Sequence, residues 1–209
     1  MTLTILLVLI ISFIAALVRS TLGFGESLIA VPLFLLLMPP DVAVPLSVML
    51  STLIALIIVI QDHSNIHFDS AKWLIFYAVF GVPLGLVILV YGNAQFIKIA
   101  LGTILLLYAI YSLRGKQINI KNADSKLWLA GCGFVSGILG GAYGLNGPPL
   151  VVYGNLRKWN AQYFRATLQA YFLPVSLISV LGYYSKGLIT SEVTTYFGIA
   201  LLTTIPAIF

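Results

Sequence analysis

Long apolar stretches, separated by short polar or glycine- and proline-rich turns, make up most of the chain. A membrane-spanning helix needs about 20 predominantly apolar residues, and several stretches reach this length. A last helix begins near Glu192 and continues to the end of the sequence. The other predicted helices are Thr2–Val18, Ser27–Met38, Val42–Ile60, Ser70–Tyr91, Ala94–Leu113, Leu127–Leu139 with a continuation over Pro148–Tyr153, and Gln162–Tyr184. The pattern predicts an all-α, polytopic membrane protein.

Composition supports a lipid-facing exterior. Hydrophobic residues make up 60% of the chain and charged residues only 8%, whereas a soluble domain carries about 25% charged residues. The net charge of +5 does not indicate a nucleic-acid partner, because the basic residues sit in short loops between apolar segments. The single cysteine, Cys132, lies in an apolar stretch and allows no disulfide framework and no cysteine-based metal site.

Two apolar regions are interrupted where a continuous helix would otherwise cross the membrane. The breaks fall around Gly23–Gly25 and around Gly140–Pro149. Irregular backbone at membrane depth occurs only where protein buries it or where it lines a wet cavity. Paired breaks in two halves of a chain are typical of transporter binding sites. We therefore expect a re-entrant or broken-helix hairpin at each break.

The two halves follow the same order of features. The segment Thr21–Phe34 compares with Gly140–Tyr153, since each has glycines, an aromatic residue beside glycine, a polar step and a proline in an apolar run. Ser47 and Thr167 follow at similar distances in the helices after each break. This order predicts two transmembrane repeats, covering residues 1–113 and 127–209, with residues 114–126 as the loop between them.

The two predicted repeats differ in length. Pro83 corresponds to Pro206, but the first half continues through another full helix to Leu113, whereas the second half stops three residues after Pro206. The alignment therefore predicts that the second repeat is incomplete and that a final helix is missing from this chain.

The distribution of basic residues predicts the topology. Lysine and arginine residues concentrate in loop 114–126 and in loop 155–161, and such loops are typically cytoplasmic. The second hairpin must then enter and leave on the cytoplasmic face. Counting back through the full spans places the ends of the first hairpin on the outer face, so the repeats are predicted to be inverted.

Broken helices bring helix N-termini, with their partial positive charge, to the middle of the bilayer. Such an end is a natural anion site, and glycine lets a ligand approach the backbone. The alternative is that the glycines only permit close helix packing. The candidate substrate-binding residues are Gly23, Phe24, Gly25, Glu26 and Ser27 from the first break, Gly144, Asn146, Gly147, Pro148 and Pro149 from the second, and Ser47 and Thr167.

Glu26 is the acidic residue placed well inside an apolar region. An intramembrane carboxylate indicates a proton relay or a cation site, whereas the alternative is a structural partner for Arg19. His63 and His67 have i, i+4 spacing but lack the H-E-x-x-H pattern, so we predict no metal site and no cofactor. The sequence also lacks an intramembrane His–Asp pair or paired carboxylates of the kind that general acid–base catalysis needs, and we do not expect an enzyme.

The two break motifs carry a resemblance to a known family. With GFGESLIAVPLF at Gly23–Phe34, GGAYGLNGPPLVVY at Gly140–Tyr153 and helices opening at Val42 and Gln162, the sequence resembles the TauE/SafE family of sulfite-exporter-like permeases over essentially its whole length. Family members often have more glycine where Glu26 and Ser27 stand here. The resemblance implies a bacterial inner-membrane protein that exports sulfite or a small organosulfur anion, with the two motifs lining the path.

Two transport hypotheses remain open at this point, beside an assembly or scaffold subunit that would show no transport and would need a partner to be stable. The first is a secondary transporter that binds a small anion between the two hairpin tips, with a possible coupling proton. The second is a proton- or cation-coupled carrier, or a channel-like pore, centred on Glu26.

Overall fold

The computed structural model describes residues 2–62, 68–113, 126–157, 159 and 161–209. Regular structure in these ranges is α-helical throughout, in agreement with the all-α prediction. His63, His67 and the loop 114–126 up to residue 125 lie outside the described residues, as do residues 158 and 160 of loop 155–161. The helices are α1 (Thr2–Leu22), α2 (Glu26–Leu37), α3 (Pro40–Asp62), α4 (Phe68–Tyr91), α5 (Ala94–Leu113), α6 (Lys126–Tyr143), α7 (Gly147–Leu156), α8 (Ala161–Ser185) and α9 (Ser191–Ile208).

Several of these helices suit a bilayer by length and composition. The segments long and apolar enough to cross a membrane are Leu3–Leu22, Pro40–Gln61, Ala71–Tyr91, Ala94–Leu113 and Phe164–Ser185. Helix α5 presents large apolar side chains on its surface, with Leu106 66% and Leu107 63% exposed. Such a surface is stable against hydrocarbon and unfavourable in water. The predicted class of polytopic helical membrane protein is confirmed.

Two helix ends lie beyond the positions predicted from the sequence. Helix α1 continues four residues beyond Val18 to Leu22, so Arg19 lies inside the helix. Helix α6 continues to Tyr143 and includes Gly140, and α7 already begins at Gly147. The second break is therefore limited to residues 144–146, and its predicted extent of 140–149 is wrong. Pro148 and Pro149 fit the first turn of α7 because no intrahelical N–H bond is required there.

Helices α4 and α6 run parallel and pack at backbone distance. A Cβ atom placed on Gly137 would lie 2.4 Å from the carbonyl oxygen of Ala78, and one on Gly85 would lie 2.2 Å from that of Ile138. The successive contacts are Gly133 with Leu74, Gly137 with Ala78 and Gly141 with Val82. Because the contacts advance together along both helices, α4 and α6 start at the same face of the molecule.

Helices α1 and α9 also run parallel. The hydroxyl of Thr203 donates to the carbonyl of Leu9 at 3.0 Å, and that of Ser20 donates to the carbonyl of Ala207 at 3.1 Å. The two halves show the same packing pattern. Helices α1 and α3 both pack on α9, and their counterparts in the other half, α6 and α8, both pack on α4. Helices α3 and α8 pack against each other at the centre. Each is the second helix after one of the two breaks.

The first break lies at half the height of α3. The side chain of Arg19, in the last turn of α1, donates hydrogen bonds to Ser51 and to Gln169. Ser51 is the middle residue of α3, and Gln169 lies in the first half of α8. The Arg19 side chain therefore reaches from the end of α1 into the interior of the helix bundle, at the level of the middle of α3.

Candidate functional site

Two helices begin at the same small cavity. Helix α2 starts at Glu26 and α7 starts at Gly147, directly after the two breaks. The cavity has a volume of about 20 Å³, which is room for roughly one water molecule. Its lining residues are Arg19, Phe24, Gly25, Glu26, Ser27, Leu28, Ser51, Gly144, Leu145, Asn146, Gly147, Pro148 and Phe172.

Glycine is required at the tip of each break. Gly25 has φ 101° and Gly144 has φ 68°, a left-handed conformation that side chains with a Cβ atom rarely adopt. Gly144 also packs closely on α3, since a Cβ atom there would lie 2.9 Å from Cγ2 of Val48. These conformations turn the chain sharply enough for α2 and α7 to start beside one another.

Neither helix start carries a side-chain cap. Gly25, which has no side chain, is the N-cap of α2, and Asn146, whose side chain accepts no hydrogen bond from its helix, is the N-cap of α7. The N–H groups of the first turn have no partners within the helix. In α7 this leaves the Gly147 N–H, because Pro148 and Pro149 have none. Two uncapped positive helix ends therefore face one cavity, an arrangement that favours an anion.

Arg19 brings a full positive charge to this cavity. The residue is only 2% exposed, and its Nη1 donates to Oε2 of Glu26 at 2.9 Å. Nη2 donates to Oε1 of Gln169 at 2.9 Å, and the guanidinium lies 4.9 Å from the centre of the Phe172 ring. The Arg19 Nε–H has no hydrogen-bond partner among the described residues, so one donor of the fork is unused.

Glu26 accepts from three neighbours. Besides Arg19, the hydroxyl of Ser47 donates to its Oε1 at 3.0 Å and that of Ser27 to its Oε2 at 3.1 Å. The carboxylate is 2% exposed and forms a buried ion pair with Arg19. A buried pair of this kind is neutral as a unit, and removal of one partner leaves an uncompensated charge. Of the two alternatives for Glu26, pairing with Arg19 is present in this conformation.

Gln169 connects the charged pair to the first break. Its Oε1 accepts from Arg19 while its Nε2 donates to the carbonyl of Gly23 at 2.7 Å. Both ends of the amide are therefore used. The side chain fixes Arg19 relative to α8 and to the backbone of the break without using Glu26.

The second break is held by a chain of hydroxyl groups. Ser136 donates to the carbonyl of Asn146 at 2.6 Å, and Tyr171 donates to Ser136 at 2.9 Å. The side chain of Asn146 is 6% exposed, and its Oδ1 has no partner among the described residues. A Cβ atom placed on Gly140 would lie only 1.7 Å from this Oδ1 atom. This clash explains why Gly140 is glycine although it lies within a regular helix.

Comparison with known proteins identifies the family. The model of the sulfite exporter TauE/SafE family matches residues 8–208. The chain belongs to the TauE/SafE family. No curated protein and no solved structure matches it. TauE/SafE proteins are membrane transporters, so the chain is a multi-pass membrane permease, and the family gives no support to an enzymatic activity.

In this TauE/SafE chain, most of the candidate residues line the cavity. They are Phe24, Gly25, Glu26, Ser27, Gly144, Asn146, Gly147 and Pro148. Gly23 and Ser47 do not line the cavity. The carbonyl of Gly23 accepts from Gln169, and the hydroxyl of Ser47 donates to Glu26. Pro149 and Thr167 do not line the cavity, although Thr167 is buried.

Sequence reasoning missed five lining residues as members of the site: the apolar Leu28 and Leu145, and Arg19, Ser51 and Phe172. Phe172 was not considered, Ser51 was not selected, and Arg19 was considered only as a partner of Glu26. The signal for Arg19 was present, because an ionisable residue in an apolar helix is by default a functional candidate. The described residues contain no group of three potential metal ligands among His, Cys, Asp and Glu.

Proposed function

We propose that this chain exports a small oxyanion, such as sulfite or a related organosulfur or organic acid anion, and binds it between the two breaks. The observation that carries the proposal is the convergence of two uncapped helix N-termini and the buried Arg19 on one cavity. Helix ends and guanidinium groups are the elements with which proteins bind oxyanions. The family contributes the transporter class, and the geometry supports the charge of the substrate.

The proposal includes two inverted repeats that rock against each other. The paired order of helix packing supports this, because α1, α3 and α9 relate to the first break as α6, α8 and α4 relate to the second. A cavity with room for one water molecule is too small for an anion with three oxygens, so this conformation is closed. Movement of one repeat relative to the other would open the cavity to each side in turn.

Two contacts form the proposed barriers on either side of the cavity. Phe24, at the tip of the first break, meets the ring of Phe164 edge-on, with ring centres 6.1 Å apart. Gly144, at the tip of the second break, packs against Val48. Phe164 and Val48 stand toward the N-terminal ends of α8 and α3. If the repeats are inverted, the first barrier faces the cytoplasm and the second faces outward.

In the proposed orientation, loops 114–126 and 155–161 are cytoplasmic and the protein resides in the inner membrane. The parallel start of α4 and α6 supports the part of this assignment that concerns loop 114–126. It puts the start of α6, which follows that loop in the sequence, on the same face as the start of α4.

The second candidate function is a proton- or cation-coupled carrier or pore centred on Glu26. A buried carboxylate at the cavity is the observation in its favour. That carboxylate accepts hydrogen bonds from Arg19, Ser27 and Ser47. Its negative charge is therefore already compensated without a bound cation. This candidate predicts that Glu26→Gln abolishes cation or proton flux while anion binding persists.

The test is sulfite flux across liposomes that contain the purified protein, measured against protein-free liposomes. Gly147→Leu places a side chain at the start of α7, beside the Phe24 ring, where a Cβ atom would stand 3.5 Å from Cδ2. We expect this change to block flux. Gly131→Leu is the matched control on α6, because a Cβ atom at Gly131 meets nothing within 4 Å. Equal flux in both variants would contradict the proposed site.

A further inference from the structure

We propose that Arg19 binds the substrate anion directly, and that Glu26 occupies the place of that anion in the closed conformation. The substrate would displace a protonated Glu26, so that anion and proton bind together. This inference rests on the proposed function and adds the anion ligand, the coupling group and the order of exchange.

The geometry of Arg19 leaves room for a better ligand than Glu26. The carboxylate accepts one hydrogen bond from Arg19, at Nη1, while the Nε–H on the Nη2 edge of the guanidinium has no partner among the described residues. A guanidinium can hold an oxyanion through two parallel N–H donors, and such bidentate pairs are the stronger ones. An anion with three oxygens that replaces the carboxylate at Nη1 has further oxygens to accept from a second guanidinium N–H, from the start of α2 and from the Gly147 N–H at the start of α7.

Arg19 stays in place when Glu26 leaves. Its Nη2 is bonded to Gln169, which is itself bonded to the carbonyl of Gly23, and its plane lies over Phe172. None of these contacts involves Glu26. Gln169 is therefore a positioning residue that keeps the guanidinium directed at the cavity in both states.

Charge balance couples the anion to a proton. The Arg19–Glu26 pair is neutral, and a monovalent anion added to it would leave a net negative charge in a low-dielectric site, which is costly. If a proton forms an O–H bond on Glu26, the ion pair opens and Arg19 pairs with the anion, so the centre remains neutral. Ser27 and Ser47 can accept a hydrogen bond from the protonated carboxyl as readily as they donate to the carboxylate.

The other charged or titratable groups on the surrounding helices are few. Helix α8 carries Arg165, whose stem packs against Gly23, and the buried Tyr171 and Tyr183, whose hydroxyls bond to α6. Helix α6 carries Tyr143, next to Gly144, and α3 has acidic residues at its two ends, Asp41 and Asp62. Helix α7 contains no charged residue, and α2 contains none besides Glu26. Arg19 is the charged group bonded to Glu26 among these elements.

The experiment uses sulfite as the probe and the full chain in liposomes, with protein-free liposomes as background. It compares the wild type with Glu26→Gln and with the double variant Arg19→Gln/Glu26→Gln. The double variant removes both charges and so strands neither in the protein interior. Ser179→Ala is the control, because the Ser179 hydroxyl is buried on α8 and bonds only to the backbone carbonyl of Val175.

Two readouts are measured for each variant. One is net sulfite flux with and without a pH gradient, and the other is sulfite exchange at equal pH. We expect Glu26→Gln to lose acceleration by the gradient, while exchange at equal pH is weaker than in the wild type but remains above that of protein-free liposomes. The double variant should need about 10- to 100-fold more sulfite for half-maximal exchange, as expected for a lost charge-assisted hydrogen bond. Ser179→Ala should behave as the wild type.

The outcomes separate this inference from the function on which it rests. Wild-type flux no greater than that of protein-free liposomes would overturn the proposed function and the inference together. If the wild type transports sulfite and the pH gradient accelerates Glu26→Gln as much as the wild type, the inference is overturned and the proposed function stands. If the double variant fails to fold, Glu26→Gln decides the question by itself.

Discussion

At the scale of single residues, the Arg19–Glu26 pair determines how the cavity works. Each group is held by partners from different helices, so the charged pair also joins α1, α2, α3 and α8. Hydrogen bonds to a charged group contribute about 1.5–3 kcal/mol each. Changes to these partners should therefore affect stability and transport together.

Ser47→Ala tests this expectation. It removes the hydroxyl that donates to Oε1 of Glu26 and should lower the stability of the folded protein by about 1.5–3 kcal/mol, visible as a lower midpoint of thermal unfolding in detergent. Ser179→Ala, whose hydroxyl bonds to its own helix, should leave the midpoint close to that of the wild type. A Ser47→Ala midpoint equal to that of Ser179→Ala would mean that the bond to Glu26 contributes nothing.

Gly140→Ala tests the second break. The added Cβ atom would stand 1.7 Å from Oδ1 of Asn146, so Asn146 must leave its place at the cavity. We expect a cost of about 1–3 kcal/mol, as for other overpacked interiors, and reduced sulfite flux. Gly131→Ala on the same helix meets nothing within 4 Å and should change neither. Normal flux in Gly140→Ala would show that the position of Asn146 is unimportant.

The sequence indicated part of this residue-level picture. Gly25, Gly144 and Glu26 were identifiable because glycine clusters and an acidic residue are unusual in apolar runs. Arg19 lay just beyond the predicted end of the first helix at Val18 and was considered only as a partner of Glu26. Its burial depends on Gln169, Ser51 and Phe172, which come from distant parts of the chain, and spacing alone does not reveal such neighbours.

At the scale of elements, the breaks were predictable and their lengths were not. Glycine and proline mark where a helix ends, which located both interruptions. Whether a given glycine lies in the break or in a helix depends on what packs against it. Gly140 and Gly141 belong to α6 because they allow contact with Asn146 and with α4, and this information is not local.

The packing of α4 on α6 gives an element-level prediction. In Gly137→Ala the new methyl group would lie 2.4 Å from the carbonyl oxygen of Ala78, and a helix backbone cannot move aside as a flexible side chain can. We expect destabilisation at or above the upper end of about 1–3 kcal/mol, measured by thermal unfolding. Gly102→Ala on α5 meets nothing within 4 Å and serves as the control. Equal midpoints would contradict the close approach of α4 and α6.

At the scale of the whole molecule, helix directions set the topology. Helices α4 and α6 start at one face, and the contacts of Tyr171 with Ser136 and of Tyr183 with Gly141 advance along α6 and α8 in the same direction. The residues that follow α4 and α8 should therefore share the opposite face. Charge counts in the sequence predicted this arrangement because few basic residues are needed to orient a chain with short loops.

Cysteine labelling in whole cells tests the topology. In a Cys132→Ala background, Lys126→Cys, Asn93→Cys and Lys186→Cys each introduce a thiol at an exposed position. A membrane-impermeant thiol reagent added outside should label positions 93 and 186 and spare 126 until the cells are opened. Labelling of all three from one side would contradict the helix directions described above.

The central claim is that two broken helices from opposite faces meet around one anion site. It is tested most directly by a thiol at Ser27, which lines the cavity and is 8% exposed. In a Cys132→Ala background, Ser27→Cys should react with an impermeant thiol reagent from either side of the membrane, and sulfite should slow both reactions. Reaction from one side only, or reaction that sulfite leaves unchanged, would contradict the account.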